Sequence, residues 1–139
     1  MPENILEKII ANRVKEVEKK KITLPIEKLA DSIREYENTH KKKYFDFKKK
    51  ITNNINNNKI SIIAEIKKAS PSAGVIMENY DPVKIANIYK NNNITCLSVL
   101  TEKEYFLGDM FDISLIKGDK NINLPVLCKD FFVDKYQLY

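Results

Sequence analysis

The sequence predicts an α/β protein, a parallel sheet covered by helices and introduced by a helical lead-in. Three observations carry this. From residue 60 onward, short apolar runs that read as strands alternate with segments of helical spacing. Those strand segments are almost wholly apolar, as strands buried on both faces are. Before residue 60, by contrast, apolar residues recur at helical spacing only.

The elements follow in order. Ile5, Ile9, Ile10, Val14 and Val17 form one apolar helical face over residues 4–20. Pro25 breaks the chain, and Ile26, Leu29, Ile33 and Tyr36 continue a second helix to about residue 37. A shorter helix covers 45–51, and the Asn-rich stretch 53–58 reads as a loop, because Asn favours turns and left-handed backbone. A first strand over 60–67 leads into a loop over 69–80. Asp81-Pro82 then supplies an N-cap and a proline at the first helical position. That helix carries Ile85, Ala86, Ile88 and Tyr89 and stops at Asn91-Asn92-Asn93. A second strand over 94–100, a loop over 102–108 and a helix over 109–117 follow, with Phe111, Leu115 and Ile116 on its buried side. The third strand covers 124–129, and Asp134 caps a helix that begins there. The division is a helical extension over 1–59 and strand–helix units over 60–139.

A chain of 139 residues holds one domain with a real core. The formal net charge of +5 raises nucleic acid as a partner, but its make-up argues against one. Arginine occurs only at Arg13 and Arg34, and the dense basic runs are Lys41-Lys42-Lys43 and Lys48-Lys49-Lys50. With abundant Ile and Asn, this reads as a compositional bias and not as a basic footprint on one face. The surplus charge suits an anionic small molecule. The start, Met1-Pro2-Glu3-Asn4, has no signal pattern, and no apolar run is long enough for a membrane span. Cys96 and Cys128 lie in strand-like segments without metal spacing and read as buried free thiols of a cytoplasmic protein. His40, in a Lys-rich stretch, reads as a solvated surface residue.

Chemistry concentrates at strand ends. Residues two apart on a strand point the same way, so Ile63, Glu65 and Lys67 share a face. An acid and an amine at the end of a buried strand cost free energy to desolvate, which favours a functional role over space-filling. Lys129 shares its face with Leu127 and Phe131, while Cys128 faces the other way. If the sheet curls into a barrel, Lys67 and Lys129 both look into its mouth, where sites of such folds sit. Two lysines near a carboxylate suit an anionic substrate and proton transfer, since neighbouring amines depress one another's pKa. The plainer alternative is a Glu65–lysine salt bridge that seals the barrel end. Leu100-Thr101-Glu102 marks a third strand end. Ser70-Pro71-Ser72-Ala73-Gly74 can contact a phosphate or carboxylate, and is equally ordinary turn chemistry. Tyr105 and Phe106 either line an aromatic pocket or pack locally.

Three ordered runs carry a resemblance. They are Ile63-Ala64-Glu65-Ile66-Lys67-Lys68-Ala69-Ser70-Pro71-Ser72, then Leu97-Ser98-Val99-Leu100-Thr101-Glu102 with Tyr105-Phe106 and Gly108, then Pro125-Val126-Leu127-Cys128-Lys129-Asp130-Phe131. Together with Ile5-Leu6-Glu7-Lys8-Ile9 and the Asp81-Pro82 helix start, they closely resemble the indole-3-glycerol phosphate synthases of tryptophan biosynthesis. The resemblance implies a (β/α)₈ TIM barrel preceded by extra helices. It implies a carboxy-lyase that closes the ring of 1-(2-carboxyphenylamino)-1-deoxyribulose 5-phosphate, losing carbon dioxide and water, without metal or organic cofactor. Lys129 matches the general acid that protonates the substrate carbonyl. Glu65 and Lys67 match a pair that binds substrate and joins the later proton transfers and dehydration. Ser70 matches a substrate-contacting serine, and Phe106 and Phe131 match aromatic positions around the anthranilate ring.

Such a barrel needs about 250 residues, and this sequence reaches only the helix after the third strand. The expectation is an N-terminal portion of a longer polypeptide, truncated after the third strand and inactive and poorly stable alone. Its edge strand is unpaired. A further catalytic glutamate and the late glycine-rich phosphate loops lie in the remainder, where a fused phosphoribosylanthranilate isomerase can also follow. Three rivals stand beside this reading. One is another phosphate-binding barrel, such as that isomerase or the tryptophan synthase α subunit. The second is a non-catalytic half-barrel that binds or assembles, and the third a cationic nucleic-acid binder.

Overall fold

The computed structural model describes residues 4–39 and 45–139. The expectations for His40 and for Lys41-Lys42-Lys43 fall outside the described residues. The chain forms two compact units, Met1–Lys43 with Phe131–Tyr139, and Tyr44–Asp130.

In the first unit, α1 (Ile5–Thr23) begins where the Asn4 side chain accepts the Leu6 amide. Ile9, Arg13 and Val17, one per turn, are its buried residues. After Pro25, α2 spans Ile26–Thr39. The terminal segment is a 3₁₀ turn, Lys135–Leu138, closed by a capping box between Asp134 and Gln137. It is tied to α1: the buried Tyr136 hydroxyl donates to the Leu24 carbonyl at 2.8 Å, and Lys21 Nζ lies 2.7 Å from Asp134 Oδ2.

The second unit opens with α3 (Phe47–Asn56), capped by the Asp46 side chain on the Lys49 amide. The helix is longer than its sequence suggests, and Asn53, Asn54 and Asn56 lie inside it. Asn54 explains why: its amide donates to Ser61 Oγ and Thr95 Oγ1, both at 3.1 Å, so tertiary hydrogen bonds override the turn preference. Only Asn57 and Asn58 form the exit, with Asn58 at φ 52°.

Three parallel strands follow, β1 (Ile63–Ile66), β4 (Cys96–Leu100) and β5 (Val126–Lys129), in the order β1-β4-β5. The helices α4 (Pro82–Asn91) and α5 (Met110–Gly118) form the crossovers. Both begin on an aspartate cap, Asp81 accepting from the Lys84 amide and Asp109 from the Phe111 amide. The loop after β1 contains a two-residue hairpin, β2 (Ala69–Ser70) against β3 (Gly74–Val75). The strands are shorter than their apolar runs, and Ile60 and Ile62 precede β1 exposed.

One sheet face makes the core. Ile66, Leu97 and Val99 pack with Ile85 and Ala86 of α4 and Ile116 of α5, and burying each large aliphatic side chain contributes about 1.5–3 kcal/mol. On α5 the inward residues are Ile113 and Ile116, three apart. The expected inward residues Phe111 and Leu115 are instead 63% and 41% exposed. The opposite face carries Ile63, Glu65, Ser98 and Leu127 in two registered layers, and Ile63 and Leu127 are each 47% exposed. Among the described residues, no helix is long and apolar enough to cross a membrane.

Candidate functional site

Register sets the site. Glu65 is level with Ser98, and Ser98 with Leu127; one layer further along, Leu100 is level with Lys129. Side chains on parallel strands alternate in concert, so Glu65 and Lys129 emerge on the same face at the C-terminal strand ends. Lys67 follows directly after β1 with the parity of Glu65. The three charges meet: Glu65 Oε1 lies 2.8 Å from Lys67 Nζ, and Glu65 Oε2 lies 3.6 Å from Lys129 Nζ. One carboxylate thus holds two ammonium groups, one on each oxygen.

These side chains are not buried, as the sequence reading of a buried strand end implied. They are 35%, 31% and 49% exposed for Glu65, Lys67 and Lys129. Ion pairs so exposed contribute about 0–1 kcal/mol each, so the cluster adds little to stability. Two cations and one anion leave a net positive, solvent-accessible patch suited to an anionic ligand.

The neighbouring loops are tied together. Ser70 Oγ accepts the Ala73 amide at 3.2 Å, which turns the chain toward Gly74 at φ 65°. The Ala69 amide donates to the Phe106 carbonyl at 3.2 Å, linking the loop after β1 to the loop after β4. Phe106 and Tyr105 are half-buried. Gly108 packs onto the backbone of β4, where a Cβ would meet the Leu100 carbonyl and lie 3.0 Å from Thr101 Cα.

Thr101 secures the end of β5. Its amide donates to the Lys129 carbonyl at 3.1 Å and its hydroxyl to Asp130 Oδ2 at 2.7 Å. Glu102, unlike Glu65, is buried, and its carboxylate accepts the amides of Glu104, Tyr105 and Phe106. Sequence reasoning marked Glu102 only as a strand-end residue. The available signal was its spacing of two to four residues from those donors. Phe131 belongs to the first unit, where its carbonyl accepts from Gln137 Nε2 at 3.0 Å.

Burial holds the Tyr80 hydroxyl above the ordinary tyrosine range, and raises the Asp112 carboxyl that accepts its hydrogen bond at 3.1 Å. Burial also pushes the Cys96 thiol up. Cys128 is half-buried with its thiol 3.5 Å from Met110 Sδ, so only Cys96 is as enclosed as expected. Among the described residues, no group of three or more His, Cys, Asp or Glu side chains is placed to hold a metal ion.

Parallel strands crossed by helices, with charged side chains gathered at their carboxyl ends, define an α/β protein with a parallel sheet. The sequence profile of indole-3-glycerol phosphate synthase matches residues 6–139. The indole-3-glycerol phosphate synthase of Thermoanaerobacter pseudethanolicus is 44% identical over 135 residues, covering 97% of this chain and 47% of that protein. That of Clostridium acetobutylicum is 60% identical over 80 residues, 58% of this chain and 30% of that protein. That of Trichodesmium erythraeum is 38% identical over 138 residues, 99% of this chain and 43% of that protein. The chain belongs to the indole-3-glycerol phosphate synthase family, whose fold is a TIM barrel. It spans about half the length of the curated relatives it matches.

Proposed function

We propose that this chain supplies the first strands and one side of the active site of a cytoplasmic indole-3-glycerol phosphate synthase. The reaction is ring closure of 1-(2-carboxyphenylamino)-1-deoxyribulose 5-phosphate, with loss of carbon dioxide and water, in tryptophan biosynthesis. The observation that supports it most is the Glu65 carboxylate shared between Lys67 and Lys129 at the strand ends.

The geometry suits divided roles. Lys129 donates a proton to the substrate carbonyl oxygen as the anthranilate ring carbon bonds to the carbonyl carbon, which neutralises the charge developing on that oxygen. Glu65 keeps the Lys129 ammonium turned toward the mouth of the sheet. With Lys67 it binds the anionic substrate and exchanges protons in the subsequent dehydration. Ser70 contacts the substrate from the loop after β1, and Phe106 and Phe131 flank the anthranilate ring.

The catalytic unit in this reading is a complete (β/α)₈ barrel. Residues 1–59 are its helical lead-in, residues 60–139 its first three strand–helix units, and further chain of the same polypeptide supplies the rest. The half-exposed Ile63 and Leu127 support this, since an apolar inner face is what further barrel strands would cover. The test is to express the polypeptide that holds the whole barrel and follow formation of indole-3-glycerol phosphate from the carboxyphenylamino substrate. Turnover supports the reading; a folded protein without turnover contradicts it.

A further inference from the structure

A buried carboxylate outside the charged cluster has a use that the ring-closure roles leave open. Glu102 is only 4% exposed, and a carboxyl group at that depth needs hydrogen bonds in place of its water. Backbone amides supply them here. Oε1 accepts from Glu104 at 3.0 Å, and Oε2 accepts from Tyr105 at 2.8 Å and Phe106 at 3.1 Å. The Glu102 carbonyl accepts the Gly108 amide at 2.8 Å, so the loop over 104–108 is wound around one residue.

The winding is strained. Leu107 sits at φ 52°, in the left-handed region that a leucine avoids, and Gly108 is pressed onto the Leu100 carbonyl. Strain of this kind persists only where its surroundings enforce it, and the Glu102 carboxylate is the anchor at the start of the loop. The far end of the same loop grips the other. The Phe106 carbonyl takes the amide of Ala69, which is itself buried and adjoins Ser70.

We propose that Glu102 is a positioning residue that holds the loop after β4 on the loop after β1, and thereby sets Ser70 and Phe106 for substrate. This rests on the synthase reading. Glu102 acts through backbone and touches no reacting atom. A glutamine there has one acceptor oxygen instead of two and turns its NH₂ toward amide donors, while an aspartate is a methylene short.

The test has two readouts. In Glu102→Gln, amide hydrogen exchange of this chain should speed up at least tenfold at Tyr105, Phe106 and also Ala69, with Leu97 and Val99 still protected. In the polypeptide that holds the whole barrel, KM should rise at least tenfold while kcat changes less than threefold, because Ser70 and Phe106 are proposed to contact the substrate alike in the bound and transition states. Unchanged exchange at Ala69, or a loss confined to kcat, overturns the proposal. Should Glu102→Gln lose protection at Leu97 and Val99 as well, Ala69→Pro carries the test, since it removes the donor at the far side of the link and leaves Glu102 and its amide contacts in place. It should raise KM to a similar degree, and an unchanged KM overturns the proposal. The exchange experiment needs no substrate. Loss of Ala69 protection beside an inactive wild-type enzyme therefore supports the loop link and sinks the synthase reading instead.

Discussion

The Glu65 carboxylate reaches the Lys129 ammonium, 3.6 Å away, although their strands are not neighbours. Strand β4 separates them, so the side chains bridge two inter-strand spacings, about 9–10 Å. The intervening residue level with Glu65 is Ser98, small enough to leave the path open. Because both pairs are exposed, Glu65→Gln should lower stability by no more than about 2 kcal/mol. Chemical denaturation of the chain checks this, and a larger loss would mark the cluster as structural.

Gly108→Ala should be far more damaging. The added methyl would lie 2.8 Å from the Leu100 carbonyl carbon and 3.0 Å from Thr101 Cα, both of them backbone at the end of the central strand. Backbone cannot swing aside as a side chain can. A loss of about 1–3 kcal/mol in thermal or chemical denaturation is expected.

Asp112 should give the second unit a pH dependence. Burial raises its folded carboxyl above the unfolded value of about 3.9, against the opposing hydrogen bond from Tyr80. The native state then keeps a proton that the unfolded chain releases. Stability therefore falls as pH climbs from about 4 through the raised value, and levels off above it. Asp112→Asn keeps an acceptor for Tyr80 and loses the charge, so this contribution to the slope should vanish and stability at pH 7 should equal or exceed that of the parent. Melting temperature against pH for the two proteins decides.

The pair Lys21–Asp134 should act in opposite senses at the two ends of the scale. The Lys21 hydrogen bond depresses the Asp134 carboxyl, and the Asp134 hydrogen bond raises Lys21. The aspartate contribution is present above about pH 3.9 and is lost as pH falls through the depressed folded value. The lysine contribution is present below about pH 10.4 and is lost as pH rises through the raised one. Asp134→Asn should loosen the terminal turn on α1 across that whole window, with the Tyr136 hydroxyl on the Leu24 carbonyl still holding it. Amide exchange at Tyr136 reports it.

What was legible in the sequence was local or periodic. Asp81-Pro82 announced its helix because a cap is a contact with a residue three positions on. The alternation after residue 60 announced the parallel sheet, and strand parity put Glu65 with Lys67 and, on another strand, Lys129 with Leu127; the register through β4 brings the two groups to one face. Failures arose where distant partners decide. Asn54 is helical because Ser61 and Thr95 receive its amide, a fact no local preference contains. On α5 the periodicity identified an apolar helix, but which stripe faces the sheet was set by packing, which chose Ile113 and Ile116 over Phe111 and Leu115. Glu65 and Glu102 look alike as acids near strand ends. Only the folded loop shows that one faces solvent between two lysines and the other turns back onto its own backbone.

The most direct test of the proposed site is Lys129→Ala in the polypeptide that holds the whole barrel, with turnover and substrate affinity measured on one preparation. Loss of the general acid should lower kcat by about 10²–10⁴-fold or more. The substrate dissociation constant should stay within about tenfold, since one solvent-exposed charge is removed. Turnover within a few-fold of the parent would contradict the proton-donor role of Lys129 and, with it, the reading of the Glu65–Lys67–Lys129 cluster as the catalytic centre.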